Sequence, residues 1–189
     1  MIELYEGVPG SGKSYHAICE KFLPWVKQGR RLYIAVDGIY LDRLSLFTGI
    51  DLQTLEQQIT IWKDSVEVLQ AFPHVEPGSA VIIDEAQTVF RSMQKVEPGL
   101  LRWLETHRHY GVDILLMSQD FRQMSQGVTR LIEATVKFRK LAFVGLSKKY
   151  QGKVRGNPED NEVIRAFVGT YSPATYAYYS SYASAALRE

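Results

Sequence analysis

The stretch Gly7-Val8-Pro9-Gly10-Ser11-Gly12-Lys13-Ser14 decides how the rest of this sequence reads. It is a full match to G-x-x-x-x-G-K-[ST], and each residue type in it has a physical purpose. Backbone N–H groups must converge on a phosphate, and glycines let the chain wrap that closely. The N-terminus of a following helix adds partial positive charge. Lys13 is placed to reach β- and γ-phosphates, and Ser14 to set its hydroxyl on Mg²⁺. A glycine-rich turn that binds nothing would share the pattern. The flanks argue against that: Ile2-Glu3-Leu4-Tyr5 reads as a strand, and Lys13 to Gln28 as a helix. Pro24 is expected to kink the helix and Gly29 to end it.

Working outward, Leu32 to Val36 is a further strand, and Ala80-Val81-Ile82-Ile83 and Ile114-Leu115-Leu116-Met117 are apolar throughout. Strands without polar alternation belong to a sheet covered on both faces. Helical patterns separate them at Ser65 to Phe72 and Leu100 to His109, with a short one near Leu52 to Gln58. The fold class is therefore α/β, with a mostly parallel sheet and helices on both faces. A helix at Val128 to Glu133 and a strand at Thr135 to Val144 follow, the latter as the first arm of a hairpin. The expected organisation is one domain over residues 1–189, with accessory elements from about residue 135.

The Ala80–Ile83 strand ends in Asp84-Glu85. Carboxyl ends of parallel strands form the ligand crevice, so Asp84 is expected beside the phosphate loop, supporting Mg²⁺. Glu85, one residue on, is placed to polarise a water aimed at a γ-phosphate. The bland reading is two acids starting a helix. The Ile114–Met117 strand runs into Ser118-Gln119, where Gln119 can sense nucleotide state or orient the water, or simply close a turn. This third element fits the ATPase branch in which an extra strand separates the phosphate-loop strand from the acidic one. Neither guanine-nucleotide mark, Asp-x-x-Gly or Asn-Lys-x-Asp, is present. A phosphotransferase whose lid is Arg122 to Arg130 is the alternative chemistry, and a nucleotide-gated scaffold without hydrolysis is the non-enzymatic one.

Composition sets outer limits. With 189 residues, 46% hydrophobic and 23% charged, the chain can bury one substantial core and is not intrinsically disordered. Its 22 Lys+Arg and 21 Asp+Glu give a net charge of +1, which argues against a surface built wholly for nucleic acid. The single cysteine, Cys19, excludes an internal disulfide and suits a reducing, cytoplasmic setting. The acidic N-terminus does not read as a signal peptide, and no apolar run approaches the roughly 20 residues of a membrane span.

Taken together, the phosphate loop, Asp84-Glu85-Ala86-Gln87, Thr106-His107-Arg108-His109-Tyr110-Gly111 and Ser118-Gln119 resemble the zonular occludens toxin-like (Zot) assembly ATPases of filamentous bacteriophages. The resemblance covers about residues 2 to 140. It implies an ATP- and Mg²⁺-dependent domain working at the cytoplasmic face of the bacterial inner membrane in virion assembly and export. It places Lys13 and Ser14 on nucleotide and metal and makes Asp84 and Glu85 the acidic pair. Phage assembly proteins, coat protein and phage DNA are the implied partners. Family members usually continue into one membrane span and an extracytoplasmic part; neither lies in this sequence, so a domain or shortened relative is expected, without the toxin activity.

Ring-forming motors of this kind take an arginine from a neighbouring copy, so a homo-oligomer is expected, with Arg108 or else Arg130 acting in trans. The alternative for Arg108 is a solvated helix end. His107 and His109, two residues apart with no suitable carboxylate, make a poor metal site. Seven cations lie between Lys137 and Arg155 with no acid among them. They read first as the solvent side of a hairpin, and otherwise as a face for DNA or anionic lipid. Tyr176, Tyr179 and Tyr182 recur every three residues and would form an aromatic stripe on a helix, for packing rather than recognition.

Overall fold

The computed structural model describes residues 1–142 and 145–180. Its centre is built from the apolar runs, Ala80–Ile83 (β4) and Asp113–Ser118 (β5), with Ile2–Glu6 (β1) beside them. Leu32–Ala35 (β2) and Ile59–Ile61 (β3) extend the sheet on one side. Ala134–Lys140 (β6), Lys149–Arg155 (β7) and Arg165–Thr170 (β8) extend it on the other. The eight strands run in the order β3-β2-β4-β5-β1-β6-β7-β8. Every pair from β3 to β6 is parallel, whereas β6-β7 and β7-β8 are antiparallel. The expected extra strand is β5, lying between β1 and β4.

Alternating side chains feed two cores. Ala80 and Ile82 of β4 and Leu115 and Met117 of β5 pack on one face, Val81, Ile83, Ile114 and Leu116 on the other. Over the first face lies the long helical run: α1 (Lys13–Ala17), a π-helical turn at Ile18–Phe22, and α2 (Leu23–Lys27). Pro24 has no N–H to give the preceding turn, and the widened π turn just before it absorbs that loss. Over the second face lie α5 (Ser65–Ala71), α6 (Pro98–Thr106) and the short α7 (Gln126–Thr129).

Several boundaries differ from expectation. The mixed stretch from 39 to 61 holds α3 (Leu41–Thr48), closed by Gly49 at φ 75°, as well as the anticipated α4 (Leu52–Gln58) and the edge strand β3. The helix expected at Val128 to Glu133 stops at Thr129, because Glu133 donates its N–H to the Ile2 carbonyl at 2.9 Å and enters the sheet. The helix expected to reach His109 turns 3₁₀ at His107. Strand β6 ends at Lys140 rather than Val144, and residues 143 and 144 lie outside the described residues. Among the described residues no helix is long and apolar enough to cross a membrane.

Candidate nucleotide site

The phosphate loop leaves the carboxyl end of β1 and is pinned at once: Gly7 donates its N–H to the Ser118 carbonyl at the end of β5, 3.1 Å away. Two glycines are required by space. A Cβ on Gly7 would stand 2.5 Å from Ser11 Oγ and 2.9 Å from the Phe138 carbonyl. Gly12 has φ 103°, and a Cβ there would meet Tyr150 at 2.8 Å and the Tyr171 hydroxyl at 2.9 Å. Helix α1 starts at Lys13, whose side chain is buried to 6% exposure. Ser11 Oγ is buried without a hydrogen-bond partner. A buried hydroxyl left unpaired inside a ring of amides suits an anion that supplies the missing acceptor.

Beside this loop the end of β4 delivers two carboxylates. Ser14 donates its hydroxyl to Asp84 Oδ2 at 2.9 Å, and the Glu85 amide donates to Asp84 Oδ1 at 2.9 Å. Burial pushes the Asp84 carboxyl pKa up, against the opposing pull of Lys13, the Ser14 hydroxyl and the Glu85 amide. Such a carboxylate lacks a full counter-charge, which a divalent cation supplies. Among the described residues no cluster of three or more His, Cys, Asp or Glu side chains could hold a metal. The paired Ser14 hydroxyl and Asp84 carboxylate are oxygen donors of the kind Mg²⁺ takes, an ion that keeps waters and phosphate oxygens beside few protein ligands.

Glu85 is the one non-glycine residue among those described with positive φ, at 47°. A left-handed backbone costs about 1–2 kcal/mol there, and it turns the carboxylate back toward the loop. Lys13 Nζ lies 3.8 Å from Glu85 Oε1, and Gln119 donates to Glu85 Oε2 at 3.4 Å. Gln87 also donates to Oε2. The structure thus brings Lys13, Ser14, Asp84, Glu85 and Gln119 together around one point. Gln87 was not singled out from the sequence, although it sits within the quoted Asp84–Gln87 motif.

A cavity of about 480 Å³ opens over this point, with Pro9, Gly10, Lys13, Ser14, Asp84 and Glu85 on its wall. Lys140, Tyr171 and Tyr176 also line it, and no local sequence pattern marks them for that place. They come from the last turn of β6 and from the segment after β8. Tyr176 belongs to a 3₁₀ turn, Pro173–Ala177, and Tyr178 and Tyr179 are buried in the core, so the anticipated helical stripe does not form; Tyr182 lies outside the described residues.

Other candidates fall elsewhere. Arg108 precedes β5, at the opposite end of the sheet from the phosphate loop, and its guanidinium pairs with Glu133. His107 is buried, its Nδ1 bonded to the Leu104 carbonyl at 2.6 Å, and its role is structural. Arg130 is exposed at the end of α7. The segment 122–130 does not line the cavity, and Arg122 is held by Asp120. Within the basic stretch Lys137 pairs with Glu6 at 3.7 Å and stands opposite Lys153, while Lys140 turns to the cavity.

Comparison with known proteins gives a consistent picture. The family model for zonular occludens toxin (Zot) matches residues 1–186. Gene 1 protein of Xanthomonas phage phiLf is 26% identical over 98% of this chain and 46% of its own length. A putative assembly protein of Pseudomonas phage Pf3 is 26% identical over 86% of this chain and 50% of its length. The chain thus spans about half the length of the curated relatives it matches. Among solved structures, the N-terminal domain of zonular occludens toxin from Neisseria meningitidis superposes with a TM-score of 0.59 at 21% identity, covering 95% of this chain and 98% of that one. The genome packaging NTPase of Sulfolobus turreted icosahedral virus 2, in complex with ATP-gammaS, reaches a TM-score of 0.56 at 18% identity, covering 80% and 90%. The fold is that of the P-loop NTPases, and the chain belongs to the zonular occludens toxin (Zot) family.

Proposed function

We propose that this chain is an ATP-hydrolysing motor domain for filamentous phage assembly and export, working at the cytoplasmic face of the bacterial inner membrane. The observation that carries the proposal is Glu85, held in a left-handed backbone between Lys13 and Gln119 at the mouth of the phosphate loop. Bound ATP with Mg²⁺ would supply a transferable γ-phosphoryl group whose charge the ion helps neutralise. Loop amides and Lys13 bind the phosphates, and Ser14 and Asp84 hold the metal. Glu85 orients a water and takes its proton, with Gln119 fixing the carboxylate. Relatives named as a phage assembly protein and a genome packaging NTPase support a motor rather than a metabolic role.

Arg108, bound to Glu133 far from its own chain's loop, can serve the reaction only in a neighbouring copy, so the motor is proposed to be a homo-oligomer. Coat protein, phage DNA and other assembly proteins are the proposed partners, and residues 1–189 the proposed single motor domain. Phosphate release measured across a range of protein concentrations tests this reading. Activity per chain that rises with concentration, and drops when Arg108→Ala is introduced, supports the composite site. Transfer of phosphate to an acceptor instead of water would make the chain a phosphotransferase, and binding without release a scaffold.

A further inference from the structure

The cavity over the phosphate loop has two chemically different ends, and only one is used by the reaction proposed above. Asp84 and Glu85 come from β4, on one side of β1 in the sheet order. Tyr171 and Tyr176 belong to the strap that follows β8, which starts on the other side of β1 and crosses α1 to reach the segment after β2. We infer that Tyr171 and Tyr176 form the platform for the base and ribose of the nucleotide whose phosphates occupy the loop. The inference rests on the phosphate-loop reading and adds to it the residues that select a nucleoside over bare phosphate.

The placement follows from connectivity. A nucleotide is linear, so with its terminal phosphate at Glu85 the nucleoside must leave the cradle away from Glu85. The helix residue after Ser14 is Tyr15, and the strap is built on it. Tyr15 Oη accepts from the Ser172 amide at 2.6 Å and from Thr175 Oγ1 at 3.3 Å. Its ring meets Tyr171 edge-on at 5.0 Å and Tyr176 at 5.8 Å. The Tyr171 hydroxyl donates to the Gly10 carbonyl at 3.5 Å, which sets its ring against the loop. Further along, the strap is tied to the segment after β2, where Tyr40 donates to the Tyr178 carbonyl at 3.1 Å and Ser180 to the Gly38 carbonyl at 2.8 Å.

Burial separates platform from packing within the same strap. Tyr178 is 1% exposed and closed into the core. Tyr171 and Tyr176 keep part of their surface on the cavity, which for a core aromatic would be wasted area. Lys140, at the end of β6, lines the same cavity and adds a cation near the polyphosphate. Phenol rings of this kind stack on any base, so the platform distinguishes nucleotide from polyphosphate more strongly than one base from another.

The test compares ATP with inorganic tripolyphosphate, both with Mg²⁺, by titration calorimetry on the full chain. Wild type should bind ATP about tenfold or more tightly than tripolyphosphate. Tyr176→Ala, and Tyr171→Ala likewise, should remove most of that difference by weakening ATP alone, while the Phe variants, which keep the ring, should retain it. Equal wild-type affinity for the two ligands would overturn the platform without any variant being needed. So would a Tyr176→Ala chain that loses both ligands equally, which would make the strap a mere support of the loop. Lys13→Ala leaving ATP binding intact would instead overturn the phosphate-loop reading, and the platform with it.

Discussion

The two sides of β1 are built on different physics. From β1 through β5 to β4 the sheet is parallel, and residues on the segments leaving its strand ends face the cavity, Asp84 and Glu85 directly after β4 and Pro9, Gly10 and Gly12 to Ser14 three to eight positions after β1. Their placement is a matter of backbone: positive φ at Gly10, Gly12 and Glu85 aims the loop amides and one carboxylate. From β6 to β8 the sheet is antiparallel, and placement is a matter of ring packing. Gly152 leaves room for the Phe167 ring and Gly169 for Tyr150; a Cβ would come within 2.2 and 2.1 Å of them. The two regions meet at Gly12, where an added Cβ would run into the Tyr150 ring and the Tyr171 hydroxyl. One side carries the residues of the proposed reaction, and the other packs aromatic rings beside the loop.

That division can be broken at graded cost. Lys13→Ala should have the largest effect, a loss of about 10²–10³-fold in turnover, as for removal of a principal donor to transition-state charge; a steady-state phosphate assay reads it. Gly12→Ala strikes the contact between the regions. It forces an L-residue to φ 103° and drives its Cβ into two tyrosines, so calorimetry should show about 2–4 kcal/mol lost along with ATP binding. Gly152→Val confines the damage to the antiparallel side. It should cost about 1–3 kcal/mol in chemical denaturation yet leave tripolyphosphate binding intact below the transition. If it abolishes phosphate binding in the folded chain, the two sides are not separable.

Smaller effects are expected at Gln119 and His107. Gln119→Ala should lower turnover about tenfold with ATP affinity unchanged, because Gln119 touches Glu85 and not the loop. His107 tests the far end of the sheet. Burial holds its pKa below the ordinary histidine value, with Glu133, Arg108 and the N-terminus as its charged neighbours. The native state keeps it neutral while the unfolded chain takes up a proton, so stability is complete above about pH 6.5 and falls as pH drops below it. Urea titrations between pH 5 and 7.5 should show this slope, at most about 1.4 kcal/mol per pH unit, and His107→Gln should flatten it.

How much could be read from the sequence divides along the same line. Strands β1, β4 and β5, the helix after the loop, and Lys13, Ser14, Asp84, Glu85 and Gln119 all lie where local pattern places them, because a strand end and the next few residues fix each position. Helix α3 and strand β3 were not legible, since Leu41–Thr48 carries exposed Leu46 and Phe47 and β3 is only three residues at an edge. Lys140, Tyr171 and Tyr176 reach the cavity through contacts more than a hundred residues from the loop, and no periodicity reports that. Arg108 shows the opposite case: a basic residue in a recognisable motif whose own-chain partner is Glu133, 25 residues on and away from the loop.

Glu85 is proposed to activate the attacking water, in a site whose phosphate-binding residues do not include it. Single-turnover phosphate release and equilibrium ATP binding, measured together on wild type and Glu85→Gln, address it directly. Glu85→Gln should keep ATP affinity within about twofold of wild type and slow phosphate release by about 10²–10⁴-fold, the range of a lost general base. Phosphate release at the wild-type rate by Glu85→Gln would contradict it.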